Sequence, residues 1–173
     1  MINKILLAVD LGLYTPHLLQ HAASLSNQYH ASMVVVHAVE PLGSLGHALL
    51  QTYLNSEMSK EITTTGMNSL VQQIREQVID MVTDEYMTGE MELPRVEDVI
   101  VRAGEPEDVI IAVAQEMNAD VIVLGNASPE ASHSHVGSVS QKVLVNSKWP
   151  VYLVPQAQAI WNQASVNGPE MRI

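Results

Sequence analysis

Five short apolar runs alternate along the chain with segments in which apolar residues recur at helical spacing. The runs are nearly continuous and rich in Val, Ile and Leu, which is typical of parallel strands covered on both faces of a sheet. They occupy residues 4–10, 33–39, 96–101, 120–124 and 151–154. Strands that alternate with helices in this way predict an α/β domain with a doubly wound parallel sheet and right-handed crossovers.

The intervening segments carry start and stop signals for helices. Thr15 and Pro16 predict a hydroxyl N-cap followed by a proline at the first helical position, and Pro106 opens another helix in the same way. A long helix is expected from about Ser56 to Gly89, and a short one over residues 138–145. The predicted apolar stripe of the long helix contains Met67, Leu70, Val71, Ile74, Val78, Met81 and Val82.

The stretch 42–55 has two glycines and no clean periodicity, so it is expected to be a long excursion before the long helix. The composition is that of one globular domain, since 47% of the 173 residues are hydrophobic and 16% are charged. The absence of Cys excludes disulfides, thiol catalysis and thiolate metal sites. The opening run predicts a first strand instead of a signal peptide, and no apolar stretch reaches the roughly 20 residues of a membrane span. A cytoplasmic protein is therefore expected.

The net charge of −11 argues against a nucleic-acid-binding protein, because such a surface repels phosphates. Most of the 19 acidic residues lie between residues 57 and 130. We interpret them as a solvated face, with an electrostatic docking surface as the alternative.

In a doubly wound sheet, ligands bind at the carboxyl ends of the strands, where the strand order reverses. The first, second and fourth strands end at Asp10, Val39 and Gly125, and these ends are expected to lie together. The segment 137–140 opens the last helix, where backbone N–H groups can bind an anion. Each signal has a purely structural alternative: Asp10 can cap a turn, Gly125 can form one, and Ser138 can cap the helix.

Signals for a metal site or for catalysis are weak. His133 and His135 could share an ion only with a third ligand, so a solvated loop is the favoured interpretation. His37 lies in a predicted buried strand near the expected site and is interpreted as a hydrogen-bonded core histidine. No Ser/His/Asp order, paired carboxylates or phosphate-binding Lys motif predicts an enzyme, although slow hydrolysis of a bound ligand stays open.

Several segments, in order and at the expected spacing, resemble the universal stress protein family. They are ILLAVD at residues 5–10, HAV at 37–39, GEP at 104–106, ADVIVLG at 119–125 and GSVSQKVL at 137–144. The resemblance implies a Rossmann-like, five-stranded parallel sheet in the order 3-2-1-4-5 with helices on both faces. It assigns residues 1–155 to the family domain and leaves 156–173 as a polar C-terminal tail.

The nucleotide-binding branch of that family carries a signature of Gly, two residues, Gly, nine residues, Gly, and Ser or Thr. Here Ser128 stands at the second glycine, and only eight residues separate it from the next one. Glu130 adds a negative charge, and no Lys or Arg lies between Arg102 and Lys142. The resemblance implies ATP or AMP as the ligand, with no metal beyond nucleotide-associated Mg. The implied nucleotide-binding residues are Asp10, Val39, Gly125, Ser128, Gly137, Ser138, Val139 and Ser140.

In that scheme Asp10 and the backbone around Val39 hold adenine, and Gly125 and the following loop meet the ribose and phosphates. The resemblance further implies a stress-response regulatory protein that forms a homodimer through its last strand, from Pro150 to Val154. The alternative is a nucleotide-independent scaffold dimer that docks a partner protein through the long helix and residues 42–55.

Overall fold

The computed structural model describes residues 1–12, 14–40, 43, 56–88, 94–126 and 136–155. Within these ranges the chain forms strands and helices in strict alternation. They are β1 (Lys4–Ala8), α1 (Thr15–Tyr29), β2 (Ser32–Val39), α2 (Ser56–Thr88), β3 (Arg95–Ala103), α3 (Pro106–Glu116), β4 (Val121–Gly125), α4 (Ser138–Asn146) and β5 (Val151–Val154).

The five strands form one parallel sheet in the order β3-β2-β1-β4-β5, which confirms the predicted fold class and strand order. β1 lies at the centre, where Leu7 pairs in register with Val35 of β2 and Val123 of β4. The chain winds outward from β1 to β3, then crosses back to β4 beside β1. The strand order therefore reverses between β1 and β4.

The two faces of the sheet carry separate cores because successive strand residues point to opposite sides. Ile5 and Leu7 pack in the cluster that contains α1 and the C-terminal half of α2. Leu6 packs in the other cluster with apolar residues of α3 and α4. The three inner strands β1, β2 and β4 are thus buried on both faces, which explains their nearly continuous apolar sequences. The edge strand β3 is more exposed.

The residues of the predicted apolar stripe of α2 differ in burial. Val78 and Val82 are buried against the sheet, but Leu70, predicted to be part of the same stripe, is 42% exposed. A helix of 33 residues is about 50 Å long, whereas the nine residues of β3 span about 30 Å. The helix is therefore longer than the sheet, and the residues of α2 described in the core, such as Val78 and Val82, lie in its C-terminal half.

The N-cap predicted for α1 is wrong by one residue. Tyr14 is the N-cap and makes no capping hydrogen bond through its side chain. The Thr15 hydroxyl instead donates to Asp10 Oδ1 at 3.3 Å, so it binds the preceding turn. The excursion at residues 42–55, except residue 43, and the tail at 156–173 lie outside the described residues. Within the described parts of the chain, no helix has both the length and the apolar character needed to cross a bilayer.

A carboxylate ties the start of β4 to the N-terminal strand. Asp120 Oδ2 accepts hydrogen bonds from the backbone N–H groups of Asn3 at 2.7 Å and Lys4 at 2.9 Å. The backbone N–H of Asp120 donates to the Lys4 carbonyl at 2.9 Å. The bonds from Asn3 and then Lys4 lower the pKa of Asp120, because they stabilise its charged form. This clamp fixes the register of the two strands that border the site.

We expect D120N to unfold at lower urea concentration than the wild type at pH 7, because a neutral amide oxygen replaces the carboxylate that accepts both N–H groups. The carboxylate contributes fully above its ordinary pKa of 3.8. Its contribution is lost as the pH falls through the lowered pKa of the folded state. The difference between the two proteins should therefore shrink in acid.

Urea unfolding followed by circular dichroism between pH 3 and pH 7 measures this difference. D80N is the matched control, because it removes the same charge from an exposed position on α2. Equal destabilisation by D80N and D120N would contradict a specific role for the clamp.

Candidate functional site

A cavity of about 700 Å³ opens at the carboxyl ends of β1, β2 and β4. The starts of α3 and α4 form its other walls, and Leu18 of α1 contributes one apolar contact surface. This is the crevice expected where the strand order reverses. Its lining residues are Ala8, Val9, Asp10, Leu18, Val36, His37, Ala38, Glu40, Pro106, Ile110, Leu124, Gly125, Gly137, Ser138, Val139 and Ser140.

Asp10 lies just beyond β1 and supports the turn that leads into α1. Its Oδ1 accepts the N–H of Gly12 at 2.9 Å and the hydroxyl of Thr15 at 3.3 Å. Leu11, between them, adopts a left-handed conformation with φ of 60°. No hydrogen bond from a described residue reaches Asp10 Oδ2. One carboxylate oxygen thus performs the structural role expected of a turn, and the other is left as an acceptor beside the cavity.

The start of α4 presents backbone donors to the same cavity. Gly137 is the N-cap, and the first helical bond runs from the Gln141 N–H to the Gly137 carbonyl at 2.9 Å. The N–H groups of Ser138, Val139 and Ser140 therefore have no partner within the helix. The Gly137 N–H donates to the Asn126 carbonyl, so it is already used. Three donors at the positive end of the helix dipole remain for an anion.

The Ser140 hydroxyl binds the protein itself. It is buried and donates to the Gly125 carbonyl at 2.6 Å, which fastens the start of α4 to the end of β4. Only the backbone N–H of Ser140 is then left as a donor toward the cavity. Ser138, by contrast, is exposed at the first helical position and makes no capping hydrogen bond.

Among the predicted site residues that the structure describes, Val39 is the one that does not line the cavity. Val39 is buried at the end of β2, and its carbonyl accepts the Gly104 N–H at 3.0 Å. Its neighbours Ala38 and Glu40 line the cavity in its place. Ser128 lies outside the described residues, as do His133, His135 and Glu130.

His37 lines the cavity in addition to making the hydrogen bond predicted for it. Its Nδ1 lies 2.8 Å from the Val9 carbonyl. Since a carbonyl only accepts, Nδ1 must carry the proton, and Nε2 is left as the second polar atom of the ring. The signal for this role was present in the sequence, because His37 lies two residues before the end of a strand whose carboxyl end was expected to border the site.

The cavity has a negative electrostatic character. Asp10 and Glu40 line it, and no Lys or Arg does so among the described residues. Lys142 of α4 forms an ion pair with Glu107 at the start of α3. Hydrogen bonding to Glu107 raises the pKa of Lys142 and lowers the pKa of Glu107. The nearest cation of α4 is thus neutralised by a partner on the opposite wall.

No group of three or more His, Cys, Asp or Glu side chains is arranged to hold a metal ion within the described ranges. The arrangement as a whole offers apolar walls, one free carboxylate oxygen, one imidazole and three backbone donors. Such a site can bind a small molecule that has a flat apolar part, a hydrogen-bonding edge and an anionic end.

Comparison with known proteins identifies the family. The family model described as "Universal stress protein family" matches residues 1–155. The chain belongs to this family.

A curated relative, the universal stress protein of Methanothermobacter thermautotrophicus, is 30% identical over 155 residues, which cover 89% of this chain and 96% of that protein. A crystal structure of a universal stress protein in complex with cAMP has a TM-score of 0.56 at 18% identity and covers 90% of this chain and 98% of that one. The universal stress protein from Archaeoglobus fulgidus in complex with dAMP has a TM-score of 0.51 at 22% identity, with coverage of 88% and 98%. At these identities the structures support the fold.

We expect S140A to destabilise the protein by about 1–3 kcal/mol, because the Gly125 carbonyl loses its buried hydroxyl donor. S138A is the matched control at the exposed first position of the same helix, and it should change the unfolding free energy by less than about 0.5 kcal/mol. Chemical unfolding measures both values. If the two variants were equally stable, the bond between Ser140 and Gly125 would not hold the start of α4.

Proposed function

We propose that this universal stress protein is a regulatory protein that binds an adenine nucleotide in the cavity beside β1, β2 and β4. The observation that carries the proposal is the set of three N–H groups at the start of α4 that have no partner among the described residues, in the same cavity as Asp10. The resemblance described above and the cAMP and dAMP complexes of similar proteins support the choice of an adenine nucleotide.

The cavity has two chemically different ends for such a ligand. Asp10 Oδ2 and His37 Nε2 provide hydrogen-bonding atoms at the end formed by β1 and β2. We assign the adenine to this end, with the backbone of Ala38, which lines the cavity beside Val39, contributing a contact. Gly125 leaves room for close approach of the ribose, and the first turn of α4 binds phosphate. Ser128 is kept as a candidate for the phosphate end.

Charge favours a nucleotide with one phosphate over ATP. The lining contains two carboxylates and no Lys or Arg among the described residues. The start of α3 carries Glu107 and Asp108, which neutralise its own helix dipole. The start of α4 supplies roughly half a unit of positive charge, too little to balance a triphosphate. We therefore expect AMP to bind more tightly than ATP without Mg²⁺, and Mg²⁺ to narrow the difference.

The proposal predicts that D10N weakens AMP binding about tenfold. Asparagine keeps an oxygen for the turn but replaces the free carboxylate oxygen with an NH₂ donor, which cannot accept a hydrogen bond from the adenine amino group. Loss of a hydrogen bond to a charged group costs about 1.5–3 kcal/mol. Isothermal titration with AMP, dAMP, cAMP and ATP, with and without Mg²⁺, measures the affinities.

D80N is again the matched control, because it removes the same charge from α2, away from the cavity. If none of these nucleotides produced binding heat at high protein concentration, the proposal would be overturned. If D10N and the wild type bound AMP with equal affinity, Asp10 would not contact the nucleotide.

The outer edge of β5 favours a second function, which does not need a nucleotide. β5 is the last strand of the sheet, so one side of its backbone has no neighbouring strand among the described residues. Tyr152 on this strand is 39% exposed, and Val145 near the end of α4 is 82% exposed. An apolar strand edge is a template for pairing with another chain. We propose that two copies pair through residues 150–154, and that such a dimer could act as a scaffold for a partner protein.

We expect Y152K to convert a dimer into a monomer, because the new charges of two copies would meet across the paired edges. Y29K is the matched control, since Tyr29 is a similarly exposed tyrosine at the end of α1. Sedimentation velocity of the wild type and both variants measures the molecular mass. A wild-type monomer at all concentrations would exclude this dimer, and a dimer that survives in Y152K would place the interface elsewhere.

A further inference from the structure

His17 and His21 lie one helical turn apart on α1, outside the lining of the cavity. Residues at positions i and i+4 lie on the same face of a helix. The two imidazole rings are in contact, with centroids 4.7 Å apart and planes at 79°. Both residues are half-buried, so solvent reaches the pair.

The distance between the rings suits two ligands of one metal ion. Zn²⁺ binds an imidazole nitrogen at about 2.0–2.1 Å, and two imidazoles on one ion then have their centroids about 5 Å apart. The observed separation is close to this distance, and a change of side-chain rotamer would direct one nitrogen of each ring at a shared ion. The i, i+4 spacing on one helix face is also that of the two zinc-binding histidines in metalloprotease helices.

The ring nitrogens of His17 and His21 are not used for hydrogen bonds within the described structure. No hydrogen bond or ion pair joins His17 or His21 to a described residue, in contrast to His37, whose Nδ1 binds Val9. Burial lowers the pKa of His21, and the charge of His17 lowers it further. Metal ions bind the neutral form of imidazole.

We propose that His17 and His21 form a two-histidine site for a divalent transition-metal ion of the Zn²⁺, Ni²⁺ or Cu²⁺ class, with water in the remaining positions. Imidazole nitrogens select these ions over Mg²⁺ and Ca²⁺, which prefer oxygen ligands. The net charge of −11 raises the local concentration of cations. A bound ion would cross-link the first two turns of α1, next to Tyr152, whose ring lies 6.3 Å from that of His21.

The test uses the full chain after removal of metals with a chelator, and Ni²⁺ as the probe, in the absence of nucleotide. Isothermal titration should show one binding event that is weakened at least tenfold in H17Q and in H21Q. A ligand that binds only the folded state raises the melting temperature. Ni²⁺ should therefore raise the melting temperature of the wild type and leave that of either variant unchanged.

Two controls separate this pair from the other histidines. H30N changes the C-cap of α1, where φ is 53° and Asn is well tolerated, and H133Q/H135Q removes the histidines first considered as metal ligands. Both should bind Ni²⁺ as the wild type does. Absence of binding to the wild type, undiminished binding in H17Q or H21Q, or a loss caused only by H133Q/H135Q would overturn the proposal. Circular dichroism without metal verifies that each variant is folded.

Discussion

The position of β1 at the centre of the parallel sheet is the constraint on which the rest of the structure depends. β2 and β3 extend the sheet on one side of β1, and β4 and β5 extend it on the other. The connections leave β1 and β4 in opposite directions across the sheet, so a crevice must open between their carboxyl ends. The Asp120 clamp holds these two strands in register at the opposite end. A slip of one residue would turn every side chain of β1 to the wrong core.

The residues around the crevice support the fold and leave only part of their polar groups for a ligand. Asp10 uses one oxygen for the turn into α1, and Ser140 uses its hydroxyl to hold the end of β4. The groups left over are one carboxylate oxygen, one ring nitrogen of His37 and three backbone N–H groups. This division explains why the structural and functional interpretations of Asp10 and Ser140 do not exclude each other.

The apolar runs predicted the strands well, because a strand buried on both faces needs a continuous apolar sequence. The order of the strands followed from the family resemblance and not from these runs. The sequence predicted less well what depends on contacts across the fold. The partner of Thr15 is a carboxylate five residues earlier, and the partner of Ser140 is a carbonyl of another element. The exposure of Leu70 follows from the length of α2 relative to the sheet, which periodicity alone does not contain.

The ion pair between Lys142 and Glu107 has two effects on the crevice. It connects the helices that form the walls, and it neutralises a cation that an anionic ligand could otherwise bind. It joins the middle of α4 to the start of α3, and so opposes the separation of these two helices. Because Lys142 is paired with Glu107, an anion at the start of α4 would be bound by backbone N–H groups. Backbone N–H groups bind through direction and number more than through charge. Under the proposed function, a site built in this way would recognise the shape of one phosphate group and gain little affinity from each additional negative charge.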